Sequence, residues 1–295
     1  MHLLDAACFV RAALAAALLA GSPALAALSL DVSEPRVQAP VIDLTADGVA
    51  AAASRYVAEY QSAFAFLVAD ELYEQQLIED DLPTQMRRIE GELFMTYLAA
   101  DDEWITVHDV ATVDGRRLAD REDLRVLLQS GDVRSVVDRI ANRNAAFNIG
   151  TIIRNFNEPT LPLLILAEKR IRHSRFKRVR IQNDGDVTLV TLAFEEKERP
   201  TLIASATGGA VFSKGSFVIE AGSGRVRETA IELEDGRVKA KLVTRYAPEE
   251  RLEMWVPVTF NEHYERSHRN GKREVVTGAS TYSNYRRFMA TGRIK

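Results

Sequence analysis

Residues 225–246, RVRETAIELEDGRVKAKLVTRY, decide the fold. Two runs of alternating apolar and polar side chains, 225–233 and 238–246, flank the dipeptide Asp235-Gly236. Alternation with a period of two is typical of a strand with one buried face. Asp followed by Gly tolerates the positive φ angles that a two-residue type I′ turn needs at both central positions. The stretch therefore predicts an antiparallel β-hairpin.

The same pattern recurs through the C-terminal half of the chain. Asp184-Gly185 and Asn270-Gly271 separate further β-rich runs, and Ser223-Gly224 supports another turn. Short loops join antiparallel neighbours, whereas parallel partners need crossovers of roughly a dozen residues or more, so a parallel α/β sheet is excluded. The predicted strands are 177–182, 187–196, 202–205, 216–220, 225–233, 238–246, 253–264 and 272–285.

The N-terminal half predicts a helix and a hairpin. Thr45 or Asp47 can cap a helix whose apolar residues recur at spacings of three and four. Residues 68–77 fit both a helix and a strand, and we favour a strand from residue 72. The β-rich runs 92–98 and 104–113 flank an acidic turn and predict a hairpin. The predicted helical stripe is Val49, Ala53, Tyr56, Tyr60, Phe64 and Leu67.

A helical insert is predicted between the two β-rich halves, at about 120–172. Residues 120–147 have helical spacing, and Gly131 divides them into two short helices. A third helical piece, 161–172, follows Pro159. The predicted fold class is therefore α+β, a single domain over 46–295. In it, a large curved antiparallel sheet of about eight to ten strands, an incomplete β-barrel, is covered by the N-terminal helix and the insert. Its apolar concave face must be filled by helices or by a ligand.

The first residues predict export. The apolar run 12–20 follows Arg11 and precedes Ala24-Leu25-Ala26, which has the form that signal peptidase cuts. We expect 1–26 to be a signal peptide and 27–45 to be a flexible arm, with a periplasmic or extracellular destination. Cys8 is the only cysteine and would leave with the signal. The mature chain would then have no disulfide, thiolate metal site or thiol nucleophile.

Neither the composition nor any motif of the sequence indicates a particular reaction. With 295 residues, 46% apolar, 27% charged and a net charge of -4, the chain is an ordinary folded protein. The nucleotide-binding, nucleophile-elbow and zinc-protease motifs are absent from it. His263 and His268 should lie on opposite faces of a strand, so no metal or other cofactor is expected. His108 and Asp109 should also diverge. A hydrolase using His108 with a carboxylate is the remaining enzyme hypothesis, and a noncatalytic protein is expected.

The basic run 169–180, KRIRHSRFKRVR, contains seven Lys or Arg residues. A solvated outer strand face is the favoured interpretation, because apolar residues interrupt the charges. The alternative is contact with lipid headgroups or an envelope protein through Arg172, Arg175 and Lys177. A nucleic-acid partner is not expected for an acidic, exported chain.

Three passages of the C-terminal third resemble a known family. Residues 215–220 (GSFVIE), 222–229 (GSGRVRET) and 254–258 (MWVPV) resemble passages of bacterial exported proteins related to the LolA-like periplasmic lipoprotein carriers and outer-membrane lipoprotein-sorting proteins. The resemblance covers about 176–290, plus the N-terminal helix by its position. Glu220 stands where that family often has Asp.

The resemblance implies an incomplete antiparallel barrel whose concave face binds a lipid or lipoprotein acyl chain, with no catalytic residue. We therefore expect a noncatalytic cell-envelope protein of this kind. The alternative is an envelope scaffold or sensor that binds another protein through the sheet and the basic run. Candidate residues for lining the trough, with core filling as their other role, are Phe194, Phe217, Tyr246, Trp255 and Phe260.

Overall fold

The computed structural model describes residues 42–287 apart from 65, 100, 120, 122–123, 125–132, 153, 155–157 and 206–207. The predicted signal peptide and residues 27–41 of the arm lie outside the described residues, as does most of the first helix of the insert. The helices are α1 (Ala46–Ala63) and α2 (Val133–Asn144), with 3₁₀ turns at Ala145–Phe147, Leu161–Leu166, Ile171–His173 and Glu250–Leu252. The strands are β1 (Leu67–Glu79), β2 (Leu82–Leu98), β3 (Glu103–Val113), β4 (Arg116–Arg117), β5 (Ser174–Asp184), β6 (Val187–Glu196), β7 (Ile203–Ala204), β8 (Ala210–Val211), β9 (Ser213–Glu220), β10 (Val226–Asp235), β11 (Val238–Glu249), β12 (Met254–Ser267) and β13 (Arg273–Arg287).

One antiparallel sheet of eleven strands dominates the fold, in the order β4-β3-β2-β1-β13-β12-β11-β10-β9-β6-β5. It does not close into a barrel, which confirms the predicted α+β half-barrel. The strand number exceeds the expected eight to ten, because β1 pairs with β13 and brings the N-terminal hairpins into the same sheet. Strands β7 and β8 form a separate small pair.

The hairpin turns differ in detail from the prediction. Asp235 pairs with Val238 as the last residue of its strand, so the loop is Gly236-Arg237. Only Gly236 has a positive φ, of +60°, which is the arrangement of a type II′ turn rather than the predicted type I′. The β1–β2 turn, Asp80-Asp81, was missed because it contains no glycine, although both residues adopt positive φ.

Helix α1 begins as predicted, since the Thr45 hydroxyl accepts a hydrogen bond from the Gly48 N–H at 3.1 Å. It ends at Ala63, and β1 begins at Leu67. The strand therefore starts five residues earlier than the predicted residue 72, and Leu67 belongs to it rather than to the helix. The helix buries Val49, Ala53, Val57 and Tyr60.

The main core fills the inner face of the sheet, which we define as the face covered by α1 and the 3₁₀ turn Leu161–Leu166. The predicted helix 161–172 is wrong as a single element, because it consists of two 3₁₀ turns separated by 167–170. Five of the six residues of the first turn are buried. A segment apolar on all sides packs inside a core, not as an amphipathic surface helix.

Helix α2 lies against β3 from the other side. Its Val136 and Ile140 pack with Phe94 and Ile105 in a second apolar cluster on the outer face of the sheet. Strand β4 pairs only with Thr112 and Val113, so most of the β3 edge has no strand neighbour among the residues that the structure describes. The Asn144 amide donates to the His108 carbonyl oxygen at 2.6 Å and so covers part of this edge. Within the described ranges, neither helix is long and apolar enough to span a bilayer.

Candidate functional site

A cavity of about 350 Å³ lies between α2 and strands β1–β3, and we call it the lateral cavity. Its volume is at the lower end of the roughly 300–1,000 Å³ range of small-molecule sites. Most of the lining surface is apolar, contributed chiefly by Ile89, Val107, Val110, Val137, Ile140 and Phe147. Its ionisable side chains and main hydrogen-bonding groups are Glu71, Tyr73, His108, Asn144, Arg154 and Glu158.

A carboxylate holds His108 in the lateral cavity. The Nδ1 atom of His108 lies 2.6 Å from Glu71 Oε2, and Ser280 donates to the other oxygen of Glu71 at 2.9 Å. Asp109 is on the opposite face, where it binds Arg121, which confirms that the two neighbours diverge. Ser280 donates to Glu71 and not to His108, so the three residues do not form a nucleophile–base pair.

Buried polar side chains form a network beside this pair. Arg154 is only 5% exposed and donates to Gln75 Oε1 at 2.6 Å and to the Ile149 carbonyl oxygen at 3.1 Å. Tyr73 and Tyr264 donate to the two carboxylate oxygens of Glu262 at 2.7 and 2.8 Å. Burial raises the pKa of Glu262 above its ordinary value. These bonds satisfy groups whose burial would otherwise be costly.

Gly278 permits the contact between Tyr73 and Glu262 across strand β13. A Cβ atom at this position would lie 2.6 Å from Glu262 Oε2 and 2.8 Å from the ring of Tyr73. Both distances are well inside ordinary van der Waals contact, so only glycine leaves room for the hydrogen bond. The isolated glycine in a strand thus marks a close approach of two side chains.

A second cavity, of about 330 Å³, adjoins the first, and we call it the acidic cavity. Three consecutive acidic residues of the β2–β3 turn line it, together with Arg170 and Trp104. Glu158 lines both cavities. The acidic residues of the turn are Asp101, Asp102 and Glu103.

The carboxyl group of Glu158 is perturbed by its place between the two cavities. Burial, followed by the negative charge of Glu103, raises its pKa from 4.5 to about 7, while His108 acts in the opposite direction. A carboxyl group of this kind changes its charge near neutral pH. Perturbed titratable groups in clefts are common at functional sites.

Glu158 should make the stability of the protein fall as the pH rises from about 4.5 to about 7. In this range the folded chain retains a proton that the unfolded chain has released, so the free energy of unfolding decreases with pH. Urea unfolding at a series of pH values should show a shallower decrease in Glu158→Gln than in the wild type. The exposed Glu198 provides the control variant Glu198→Gln, which should keep the wild-type slope. An unchanged slope in Glu158→Gln would contradict the assignment.

The five residues predicted to line the trough lie elsewhere. Phe194, Phe217, Tyr246 and Phe260 are buried in the main core, and Trp255 is partly buried at its border. The rings of Phe194 and Phe217 stack at 5.0 Å. None of the five lines either cavity. Their role in ligand binding stays a prediction, and core filling is the role that their positions indicate.

The basic run lies at the β5 end of the sheet. Its first two residues are near the acidic cavity, since Arg170 lines it and Lys169 lies 3.8 Å from Asp102. Arg172, Arg175 and Lys177 are exposed, and Val179 and Ile181 of the same edge strand are 62% and 42% exposed. A contact of the first three residues with headgroups or a protein stays a prediction. In the described part of the chain, no group of three or more His, Cys, Asp or Glu residues could hold a metal ion.

No sequence motif marks the polar residues that line the lateral cavity. Glu71, His108 and Glu158 come from β1, β3 and the segment after α2, and the register of three strands brings the first two together. Of these three residues, the sequence singles out only His108, as a candidate to act with a carboxylate in a hydrolase. The elevated pKa of Glu158 depends on burial, which no motif reveals.

No family model matches the sequence, and the comparison with curated proteins found no match. Among solved structures, the chain is similar to a LolA superfamily protein from Nitrosomonas europaea, with 11% identity and a TM-score of 0.31 over 84% of this chain and 95% of that one. A putative outer membrane lipoprotein-sorting protein domain from Vibrio parahaemolyticus has 11% identity and a TM-score of 0.30, over 80% and 92% of the two chains. A DUF1329 family protein from Desulfovibrio piger has 9% identity and a TM-score of 0.38, over 84% and 95%.

Similarities at this level say nothing about the ligand of this chain.

Proposed function

We propose that this protein is a noncatalytic cell-envelope protein that binds a lipid or lipoprotein acyl chain, and that the chain occupies the lateral cavity. One observation carries the proposal: a cavity of about 350 Å³, lined mostly by apolar side chains, that also contains a few polar groups. Such a combination suits a ligand with an apolar body and a polar end. The predicted signal peptide supports a location in the envelope.

The energetics of a single acyl chain are adequate for this cavity. Each buried methylene group contributes about 0.8 kcal/mol, so a chain of ten methylene groups offers up to about 8 kcal/mol before the entropy of binding is subtracted. Binding of this kind needs no reacting group. The pairing of His108 with Glu71 then contributes to a fixed cavity wall.

The lateral cavity is a better place for the ligand than the inner face of the sheet. The inner face is already covered by α1 and by the apolar turn Leu161–Leu166, and its aromatic residues are buried among them. A ligand there would have to displace α1, whose Val49, Ala53 and Val57 are fully buried. In the lateral cavity a chain would displace no side chain of the main core.

Ala141→Trp should block the lateral cavity. Ala141 is an exposed residue of α2 that lines it, so a large side chain can occupy the cavity without entering the core. We expect at least a tenfold weaker affinity for a fluorescent single-chain fatty acid, with an unchanged circular dichroism spectrum. Ala58→Trp, at an exposed position of α1 that does not line the cavity, is the matched control.

The proposal fails if Ala141→Trp binds the probe as tightly as Ala58→Trp does. It also fails if the wild-type protein takes up no probe and carries no lipid detectable by native mass spectrometry after purification from its host.

A further inference from the structure

We infer that the ligand of this protein is a single-chain amphiphile whose head group carries a primary ammonium, held by Glu158 where the two cavities meet. The inference rests on the proposed function and specifies the class of ligand. It places the acyl chain in the lateral cavity and the head group in the acidic cavity.

The contact between the cavities is the first observation. Glu158 lines both of them, so this residue contributes to the wall of each cavity. The lateral cavity has a mostly apolar lining, while polar groups contribute the larger part of the acidic cavity's surface. An amphiphile that passes Glu158 would have its chain on one side and its head group on the other.

The balance of charge is the second observation. Among the described residues, five carboxyl groups line the two cavities, against two guanidinium groups and one imidazole. Glu71 is bound by His108 and Ser280, and Asp102 accepts from Tyr97 and lies 3.8 Å from Lys169. The two guanidinium groups belong to Arg154 and Arg170. The larger number of carboxyl groups among these lining residues favours a ligand with a cationic head group.

Glu158 is the carboxyl group to which we assign the ammonium. Among the described residues, none donates a hydrogen bond to it, and Glu103 on β3 opposes its negative charge. The charged or titratable neighbours of Glu158 are Glu103 and His108 on β3, Asp101 and Asp102 in the β2–β3 turn, and Arg154 and Arg170 on the flanking segments. An ammonium would supply both a counter-charge and three hydrogen-bond donors.

Two buried donors point to acceptor oxygens elsewhere in the same head group. Trp104 is 1% exposed, lines the acidic cavity, and has an indole N–H without a partner among the described residues. The Nε atom of Arg170, in the same wall, is also buried and has no partner within the described ranges. Unsatisfied buried donors are uncommon and unfavourable. Phosphate or ester oxygens next to the ammonium would satisfy them, as in a phosphoethanolamine head group.

The test compares two lysophospholipids with the same twelve-carbon chain, measured by calorimetry below their micelle concentrations. Lauroyl lysophosphatidylethanolamine should bind at least ten times more tightly than lauroyl lysophosphatidylglycerol, which lacks the ammonium. Glu158→Gln should reduce the ratio to less than three while keeping the affinity for the glycerol lipid. Glu198→Gln, at an exposed position outside both cavities, should keep the full ratio.

A second measurement uses the wild-type protein alone, in case Glu158→Gln does not fold. An ammonium at Glu158 lowers its pKa from about 7, so binding of the ethanolamine lipid at pH 7 should release protons, and binding of the glycerol lipid should not. Titrations in buffers of different ionisation enthalpy report this release. Equal affinities for the two lipids, or no proton release, would overturn the inference and leave the proposed function standing. If neither lipid nor the fatty-acid probe binds, both are wrong.

Discussion

Gly224→Ala is expected to destabilise the protein by at least about 2 kcal/mol, or to prevent its folding. Gly224 has a φ of +72°, in the left-handed region, and a Cβ atom there would lie 2.1 Å from the Ala52 carbonyl oxygen of α1. The left-handed conformation costs an alanine about 1 kcal/mol or more, and the clash with helix backbone adds about 1–3 kcal/mol. The midpoint of urea unfolding should therefore fall sharply.

Gly236→Ala is the matched control for this prediction. Gly236 also has a positive φ, of +60°, but a Cβ atom there would meet no atom within 4 Å. This variant should lose only the conformational part, about 1 kcal/mol. Similar losses in the two variants would contradict the packing of the β9–β10 turn on α1.

Trp104→Ala is expected to destabilise the protein by about 3–5 kcal/mol, as is usual for a fully buried tryptophan. The indole is 1% exposed, and its ring centroid lies 4.8 Å from that of Phe64 and 5.1 Å from that of Tyr97. Its removal leaves a cavity in the cluster that joins α1 to β2 and β3. Chemical unfolding followed by circular dichroism measures the loss.

Trp255→Ala provides the comparison, because the chain has two tryptophans. Trp255 is partly buried, and the guanidinium group of Arg227 lies 4.3 Å from its ring centroid. A cation–π contact of this kind contributes about 0.5–1 kcal/mol at an exposed site, so the loss should be much smaller. A larger loss for Trp255→Ala than for Trp104→Ala would contradict the assignment of the core.

The passage that suggested the family resemblance is explained by the structure of one turn. Glu220 accepts hydrogen bonds from Ser223 at 2.9 Å and from Arg225 at 2.9 Å, and it also binds Arg227. Gly224 follows Ser223 and lies against α1. The GSGRVR stretch therefore holds the sheet to the helix, and none of its residues lines either cavity. A resemblance in this stretch is evidence about the fold and contains no residue of the candidate site.

The lateral cavity follows from an edge of the sheet. Because β4 pairs with only two residues of β3, the remaining edge needs another cover, and α2 supplies it. A helix fits less closely against a strand edge than a neighbouring strand does. The cavity lies where these two elements meet, next to inner-face residues of β1 and β3.

The sequence by itself determined the local elements. Alternating side chains and glycine turns predicted the C-terminal hairpins, and the spacing of apolar residues with Thr45 as cap predicted α1. These features depend on neighbours within a few residues, so their physical causes are present in short stretches of chain. Even there, the turn type at Gly236 and the 3₁₀ form of Leu161–Leu166 required the register and the packing of the whole protein.

Only the tertiary structure determined where the lateral cavity lies. The pairing of Leu67 with Arg287 joins the first strand to the last, and the contact between Glu71 and His108 links β1 to β3 across β2. The position of Glu158 between two cavities depends on how α2 covers the β3 edge. Period-two alternation specifies that a strand has a buried face, but the partner that buries it is selected by the summed packing of distant segments.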